Sequence, residues 1–143
     1  MLKVKIKRFD KSLPLPEYKT KGAAAVDLCA RETVVIAPRT VGYVPLNIGL
    51  ELPTDHWALV TARSSLHKKG LMMANGVGVG DSDYCGDGDE YRAALLNFTD
   101  KEAVVERGER IVQLIIMARQ KVELVELERF TNADRGGFGS TGK

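Results

Sequence analysis

The chain has 143 residues, of which 44% are hydrophobic and 28% are charged, and its formal net charge is +2 at pH 7. A chain of this length can bury one ordinary core without disulfides or metal ions to stabilise it, so we expect a single domain. The small net charge excludes general electrostatic binding to nucleic acid or to a membrane surface. Any recognition of phosphate groups must therefore be local.

The two cysteines, Cys29 and Cys85, have neither the paired spacing of a zinc site nor the density of a secreted disulfide scaffold. No apolar run approaches the roughly 20 residues that span a bilayer. The segment Met1–Lys5 also lacks the apolar stretch of a signal peptide. We therefore expect a soluble, cytoplasmic protein.

Apolar residues recur mainly with a period of two or in short β-branched runs, which predicts an all-β fold. In the first such run Leu2, Val4 and Ile6 alternate with lysines, so we expect one face in the core and one in water. Turn residues between the runs are typical of a sandwich, a jelly roll or a distorted barrel. Further strands are predicted at Thr33–Ala37, Val44–Leu52, Trp57–Thr61, Tyr91–Phe98, Ile111–Met117 and Val122–Leu127.

One short helix is predicted from about Ser65 to Lys69, with a hydroxyl of Ser64 or Ser65 capping its start and Gly70 ending it. The last residues are rich in glycine, serine and threonine, and they cannot bury enough apolar surface to hold themselves in place. We therefore expect a β-rich domain over residues 1–130 and a mobile C-terminal arm over residues 131–143.

The tripeptide Arg63-Ser64-Ser65 combines a guanidinium, two hydroxyls and the free N–H groups of a helix start. A guanidinium presents a planar set of donors that matches phosphate oxygens, and the other groups add donors nearby. The tripeptide could therefore bind a phosphate. The alternative is an ion-paired arginine followed by a serine cap.

Two aspartates, Asp81 and Asp83, flank a serine and precede Tyr84. If this segment is extended, the two carboxylates point to opposite faces. A carboxylate facing a polyphosphate can orient and deprotonate a water, provided that cations offset the repulsion, and Asp81 is the candidate base. The alternative is that both aspartates are turn residues bonded to their own backbone.

Two aromatic residues could contact a nucleoside. The Tyr84 ring could pack on a deoxyribose and exclude a 2′-hydroxyl, or it could be an ordinary strand aromatic. Phe138 lies among glycines in the arm, where an exposed aromatic ring without core partners is well suited to stack on a base.

Together these segments resemble the trimeric deoxyuridine triphosphatases, whose five motifs occur here in order over nearly the whole chain. The matching segments are residues 24–30, 62–70, 75–84, 108–114 and 135–142. The resemblance implies a β-rich, jelly-roll-like homotrimer with sites between subunits, the arm of one chain covering a pocket built by the other two. It also implies hydrolysis of dUTP to dUMP and pyrophosphate, with Mg²⁺ on the triphosphate and water attacking the α-phosphorus. Such an activity keeps uracil out of DNA and supplies dUMP for thymidylate synthesis.

The resemblance also implies roles for individual residues. Asp81 would position the water, and Asp27 would act on the metal indirectly, through water. Phosphates would be held by Arg63, Ser64, Ser65 and Gln113. Uracil would be read by the Asn75 side chain and by backbone that includes Val79 and Gly80, and Tyr84 would pack on the deoxyribose. The arm would contribute Arg135 at the γ-phosphate, Phe138 over uracil, and Gly139, Ser140 and Thr141 near the phosphates.

The chain departs from the family pattern at two places near the site. Gly80 replaces a bulky aliphatic residue, which is expected to loosen the strand before Asp81. The segment Cys85–Glu90 is a few residues longer than the usual hairpin and is unusually acidic. It is expected to be a solvated turn rather than a second metal site, since it lacks regular ligand spacing.

Two alternatives remain open. The related dCTP deaminases share the fold but need a glutamate where this chain has Ala94, so that Glu90 is the one residue that could replace it. The other alternative is a trimer that binds nucleotides without turning them over.

Overall fold

The computed structural model of the chain describes residues 1–137, which form eleven strands and one four-residue 3₁₀ helix at Leu66–Lys69. The predicted all-β fold is confirmed. No helix in the described range is long and apolar enough to cross a bilayer. The strands are β1 Lys5–Arg8, β2 Val26–Cys29, β3 Val34–Ile36, β4 Val41–Pro45, β5 Ile48–Glu51, β6 His56–Ala62, β7 Leu71–Met73, β8 Gly78–Gly80, β9 Arg92–Asn97, β10 Ala103–Val105 and β11 Arg110–Ala118.

The strands pair antiparallel in four small sheets that enclose one core, as in a jelly-roll-like barrel. The largest sheet has the order β2-β11-β6-β8, the second has the order β4-β9-β7, and β1-β5 and β3-β10 are two-stranded. In the largest sheet β11 and β6 are the central strands, and β6 pairs with β8. The pairing of β6 with β8 therefore fixes where the residues that follow each of these two strands lie. This sheet carries most of the predicted site.

The predicted strand Val44–Leu52 is divided in two. Its even-numbered apolar residues from Leu46 to Leu52 are all buried, as predicted, but Pro45, Asn47 and Gly49 between them are buried too, so burial does not alternate. Between β4 and β5, however, Asn47 adopts a left-handed conformation with φ of 66°. Asparagine tolerates this conformation better than most residues. The Asn47 side chain is buried and bonds the backbone of Asp10 in both directions, at 2.6 and 3.0 Å.

Two predictions about strands are wrong. In the first run Leu2 is 48% and Ile6 is 39% exposed, and only Val4 packs partly against the core. The segment Val122–Leu127 forms no strand, and its side chains are exposed. Alternating apolar residues form a strand only where another strand satisfies their backbone, and no strand within residues 1–137 pairs with this segment.

The predicted helix is present at nearly the predicted position but begins differently. Ser65 occupies the N-cap without a side-chain cap hydrogen bond, so the predicted hydroxyl cap is wrong for Ser65. Instead the backbone N–H of Leu66 donates to the carbonyl of Arg63 at 3.0 Å. Gly70 ends the helix in the left-handed region with φ of 74°, as predicted.

Candidate active site

The two ends of β6 separate the predicted site residues into two groups. At one end Ala58 pairs with Gly80, and Asp81 directly follows β8. At the other end β6 finishes at Ala62, and Arg63 follows. Because β6 and β8 are antiparallel, continuing their register places Asp81 level with Trp57, six residues from Arg63. At about 3.3 Å per residue, the two backbones lie roughly 20 Å apart along the strand.

The first group is organised around Asp27 on β2. One oxygen of its carboxylate lies 2.9 Å from Nε of Arg63, and the other lies 3.1 Å from a terminal nitrogen of Arg110. Gln113 on β11 pairs directly with Asp27, and its amide donates to the carbonyl of Ala62 at 3.0 Å. The carboxylate therefore holds two guanidiniums side by side at one end of the largest sheet.

Beside this cluster lies an open cleft of about 490 Å³ that includes Ser65 and has an excess of basic side chains. One acidic residue lines it, Glu109, which is ion-paired with Lys69 at 2.8 Å. Ser64 and Ser65 are exposed in the turn that leads into the helix. The cleft can therefore offer cations and hydroxyls to phosphate oxygens. Its basic residues are Arg63, Lys68, Lys69 and Arg110.

The second group lines a separate cavity of about 430 Å³, a volume in the range of small-molecule sites. Asp81 is exposed, and it forms a turn in which the N–H of Tyr84 donates to the Asp81 carbonyl at 3.2 Å. The segment is therefore not extended, and Asp81 and Asp83 do not alternate across a strand. The cavity brings together five of the predicted residues, namely Asn75, Val79, Gly80, Asp81 and Tyr84.

Two contacts hold the Tyr84 side chain, one through its hydroxyl and one through its ring. Its hydroxyl donates to the carbonyl of Glu90 at 3.0 Å. Its ring meets the ring of Tyr91 edge-on, with 5.6 Å between centroids and 74° between planes. One side of the Tyr84 ring remains exposed and lines the cavity, where it can receive a sugar.

Tyr91 occupies the space that a side chain at Gly80 would take, so the strand before Asp81 is closely packed at this position. Gly80 is buried and pairs with Ala58, and a Cβ at Gly80 would lie 2.3 Å from the Tyr91 hydroxyl oxygen. Burial raises the pKa of Tyr91 to about 12, and the neighbouring Tyr84 and Asp81 add to the shift. Sequence reasoning missed Tyr91, although a glycine at a normally bulky position is a signal to look for a large side chain nearby.

The acidic segment after Tyr84 is anchored by protein contacts. Glu90 is buried and accepts hydrogen bonds from Arg31, at 2.8 and 3.1 Å, and from the N–H of Asn47 at 2.9 Å. Asp87 is exposed and pairs with Lys7 at 2.6 Å. Because Arg31 and Asn47 occupy the Glu90 carboxylate, this geometry leaves it unsuited to the acid/base role that a deaminase would require.

Arg135, the arm residue of the predicted site that lies within residues 1–137, lines neither the cleft nor the cavity. Arg135 is exposed in the irregular segment that follows β11. Four further residues that were predicted to contact substrate, Phe138, Gly139, Ser140 and Thr141, lie outside the described range.

Comparison with known sequences identifies the family. A family model described as dUTPase matches residues 11–142. A protein of Hydrogenobaculum sp. is 41% identical over 145 residues, covering 99% of both chains, and bears the name deoxyuridine 5′-triphosphate nucleotidohydrolase. A protein of the same name from Corynebacterium glutamicum is 43% identical over 147 residues, covering 98% of this chain and 95% of that one.

Solved structures agree with these sequence matches. The dUTPase of Streptococcus mutans is 29% identical with a TM-score of 0.76, covering 82% of this chain and 98% of that one. The dUTPase of Staphylococcus bacteriophage 80alpha, solved with dUPNHPP, has a TM-score of 0.85 over 99% of both chains at 24% identity, which supports the jelly-roll-like fold. The chain therefore belongs to the dUTPase family.

Proposed function

We propose that this protein hydrolyses dUTP to dUMP and pyrophosphate by directing water at the α-phosphorus. The observation that carries the proposal is the shared cavity in which the Asp81 carboxylate lies with Asn75 and Tyr84. This set combines an amide that can pair with a base edge, an aromatic ring that can pack on a sugar, and a carboxylate that can accept a proton. Membership of the dUTPase family supports the same substrate.

Within the cavity each group has a distinct task. The Asn75 side chain and the backbone of β8 bind the uracil edge, and the exposed face of Tyr84 packs on the deoxyribose. Asp81, at the exposed end of β8, then faces the phosphate end of the nucleoside, where it orients a water and takes its proton. Most of the rate enhancement comes from positioning and charge neutralisation, as is usual in phosphoryl transfer.

The cationic cleft completes this site from another copy of the chain. Within one chain Arg63 is roughly 20 Å from Asp81 along the sheet, and its guanidinium points towards Asp27 on β2, at the edge of the sheet opposite β8. Groups that act on one nucleotide must each come within about 3 Å of it. We therefore infer a homotrimer with three equivalent sites, in which Arg63, Ser64, Ser65 and Gln113 of one chain hold phosphates over the Asp81 cavity of another.

The arm provides the remaining contacts. Residues 131–137, the described part of the arm, are all exposed and include no member of the core, which suits a segment that closes over a site built by other chains. In this proposal Arg135 binds the γ-phosphate and Phe138 covers the uracil ring. Gly139, Ser140 and Thr141 approach the phosphates.

The described residues fit a magnesium ion that arrives with the substrate. Residues 1–137 contain no group of three or more histidine, cysteine, aspartate or glutamate side chains arranged to hold a metal. Mg²⁺ is commonly bound through substrate phosphates and retains several waters. Both oxygens of Asp27 are engaged by arginines, so Asp27 would contribute only through water. When bound, the ion supplies positive charge that neutralises the triphosphate.

Product analysis tests the proposal against the two alternatives. The purified protein is incubated with Mg²⁺ and each deoxynucleoside triphosphate, and pyrophosphate and ammonia are measured separately. We expect pyrophosphate and dUMP from dUTP. Ammonia from dCTP would identify a deaminase, and nucleotide binding without either product would identify a binding protein.

A further inference from the structure

Tyr91 occupies a position that neither the motifs nor the proposed chemistry explains. It begins the segment leading into β9, is 6% exposed, and lines the Asp81 cavity. Its backbone N–H donates to Ile48 and its carbonyl accepts from Leu46, both at 2.9 Å, which fixes its main chain beside β5. Its hydroxyl is buried without a hydrogen-bond partner within residues 1–137. The main chain of Tyr91 is therefore fixed by hydrogen bonds, whereas its hydroxyl makes no hydrogen bond to any described residue.

The Tyr91 side chain fits against Gly80 without free space between them. A Cβ on Gly80 would lie 2.3, 2.6 and 2.8 Å from the Oη, Cε1 and Cζ atoms of Tyr91. Any side chain at position 80 therefore requires the tyrosine ring to move. Because Gly80 has no side chain, the Tyr91 ring can pack directly against its backbone.

The Tyr91 ring also contacts the ring of Tyr84. The two rings meet edge-on, and the Tyr84 hydroxyl bonds the carbonyl of Glu90, the residue immediately before Tyr91. Because Glu90 is locked by Arg31, both attachments of Tyr84 lead to one rigid segment. A movement of the Tyr91 ring would release the Tyr84 ring from one of its two attachments.

We propose that Tyr91, seated against Gly80, is a specificity-determining positioning residue that fixes the Tyr84 ring and thereby excludes nucleotides with a 2′-hydroxyl. This inference rests on the proposed function, in which Tyr84 packs on the deoxyribose. A ring held on two sides cannot withdraw to admit an extra oxygen atom, whereas a ring held on one side can. The aromatic ring of Tyr91 performs this task, and its hydroxyl is not required.

The test is the ratio of kcat/KM for dUTP to kcat/KM for UTP. In Tyr91→Leu we expect this ratio to fall about tenfold or more, mainly through faster use of UTP, because small displacements in a site have large kinetic effects. Tyr91→Phe keeps the ring and should retain the ratio of the parent. Tyr18→Leu is the matched control, since Tyr18 is exposed and does not line the cavity.

Gly80→Ala tests the same inference by displacing the Tyr91 ring instead of removing it. This test does not depend on whether Tyr91→Leu folds. In the parent protein, Gly80→Ala should lower the ratio of kcat/KM for dUTP to kcat/KM for UTP. In Tyr91→Leu the same substitution should change this ratio much less, because the ring atoms that clash with a Cβ at position 80 are absent. An unchanged ratio in folded Gly80→Ala, or in folded Tyr91→Leu, overturns the inference. A parent protein that fails to hydrolyse dUTP overturns the proposed function instead, so the two failures are distinguishable.

Discussion

Arg31 and Glu90 form a two-point ion pair beneath the segment that leaves the Asp81 cavity, with Nε at 2.8 Å from one carboxylate oxygen and a terminal nitrogen at 3.1 Å from the other. Glu90 is 5% exposed and also accepts the N–H of Asn47. Its own carbonyl accepts the Tyr84 hydroxyl. The pair thus anchors the end of the acidic segment Cys85–Glu90, to which the Tyr84 side chain that lines the cavity is bonded.

Glu90→Ala should lower the free energy of unfolding by about 2 kcal/mol, because it leaves Arg31 and a buried N–H without their acceptor. Fully buried pairs lose about 3–5 kcal/mol when one partner is removed, and the partial exposure of Arg31 reduces this figure. Urea unfolding measures the loss of unfolding free energy in Glu90→Ala and in a control, Glu51→Ala, each relative to the parent protein. Glu51 pairs with Lys5 at 2.7 Å on an exposed surface, where solvent screens the attraction, so its removal should have a much smaller effect on stability. Equal effects of the two substitutions would contradict this account.

Asp81→Asn should reduce turnover of dUTP by roughly 10²-fold or more while leaving nucleotide affinity largely intact, because an amide can occupy the same space but cannot take a proton. Steady-state kinetics and equilibrium binding of a non-hydrolysable dUTP analogue measure the two effects. Asp83→Asn is the control, since Asp83 is exposed in the same turn and does not line the cavity. Unchanged turnover in Asp81→Asn would remove this residue from the mechanism.

Complementation tests whether the site is divided between chains. Arg63→Ala and Asp81→Asn proteins should each be nearly inactive. After the two are unfolded and refolded together, about a quarter of the sites in random trimers should combine an intact Arg63 with an intact Asp81 from different chains. Activity of the mixture is compared with that of each variant refolded alone. No recovery in trimers shown to be mixed would place both residues in a site within one chain.

Deletion of residues 135–143 should leave a folded oligomer that hydrolyses dUTP very slowly. Arg135, Gly136 and Gly137 are exposed, so the loss of this described part of the deleted segment removes no core contact. Thermal melting, size-exclusion chromatography and steady-state kinetics separate the two effects. Melting well below the parent protein would show that the arm stabilises the fold.

The interaction of Asp10 with Ser12 and Arg107 should make stability depend on pH. The hydrogen bond from the Ser12 hydroxyl is the largest cause that holds the pKa of Asp10 well below its usual range. The hydrogen bond from Arg107, at 2.7 Å, is the second. A lowered folded-state pKa contributes stability that is present above the unfolded value near 4 and is lost as the pH falls through the folded value. Asp10→Asn should therefore lower Tm at pH 7, and this difference from the parent should shrink below about pH 4. A difference that stays constant from pH 7 to pH 3 would contradict this assignment.

Several parts of the fold could be predicted from local patterns because their physical cause is local. Gly70 ends the helix because few other residues adopt a left-handed conformation without strain. The burial of Leu46, Ile48, Leu50 and Leu52 could be predicted because these side chains are large and apolar, although the residues between Leu46 and Leu50 are buried as well. Short strands such as β8, with three residues and two glycines, carry too little pattern to be recognised.

The failures have a common cause in partners that a local pattern does not specify. Val122–Leu127 alternates like a strand, but a strand needs a neighbouring backbone, and none within residues 1–137 supplies it. Leu2 and Ile6 show the same effect on a smaller scale, since among the described strands β1 pairs only with β5. The placement of Tyr91 against Gly80 joins two segments whose contact depends on how β8 and β9 pack.

The residue types and spacing of this chain by themselves determined its all-β class, because alternate side chains of a strand lie on opposite faces. Its family was indicated by the resemblance of five ordered segments to the motifs of the dUTPases. Only the tertiary structure decided that Arg63 and Asp81 leave one sheet in opposite directions, and that Tyr91 fills the space beside Gly80. Strand register and packing are cooperative properties of the whole chain, so distances between remote segments emerge only when the sheet is assembled.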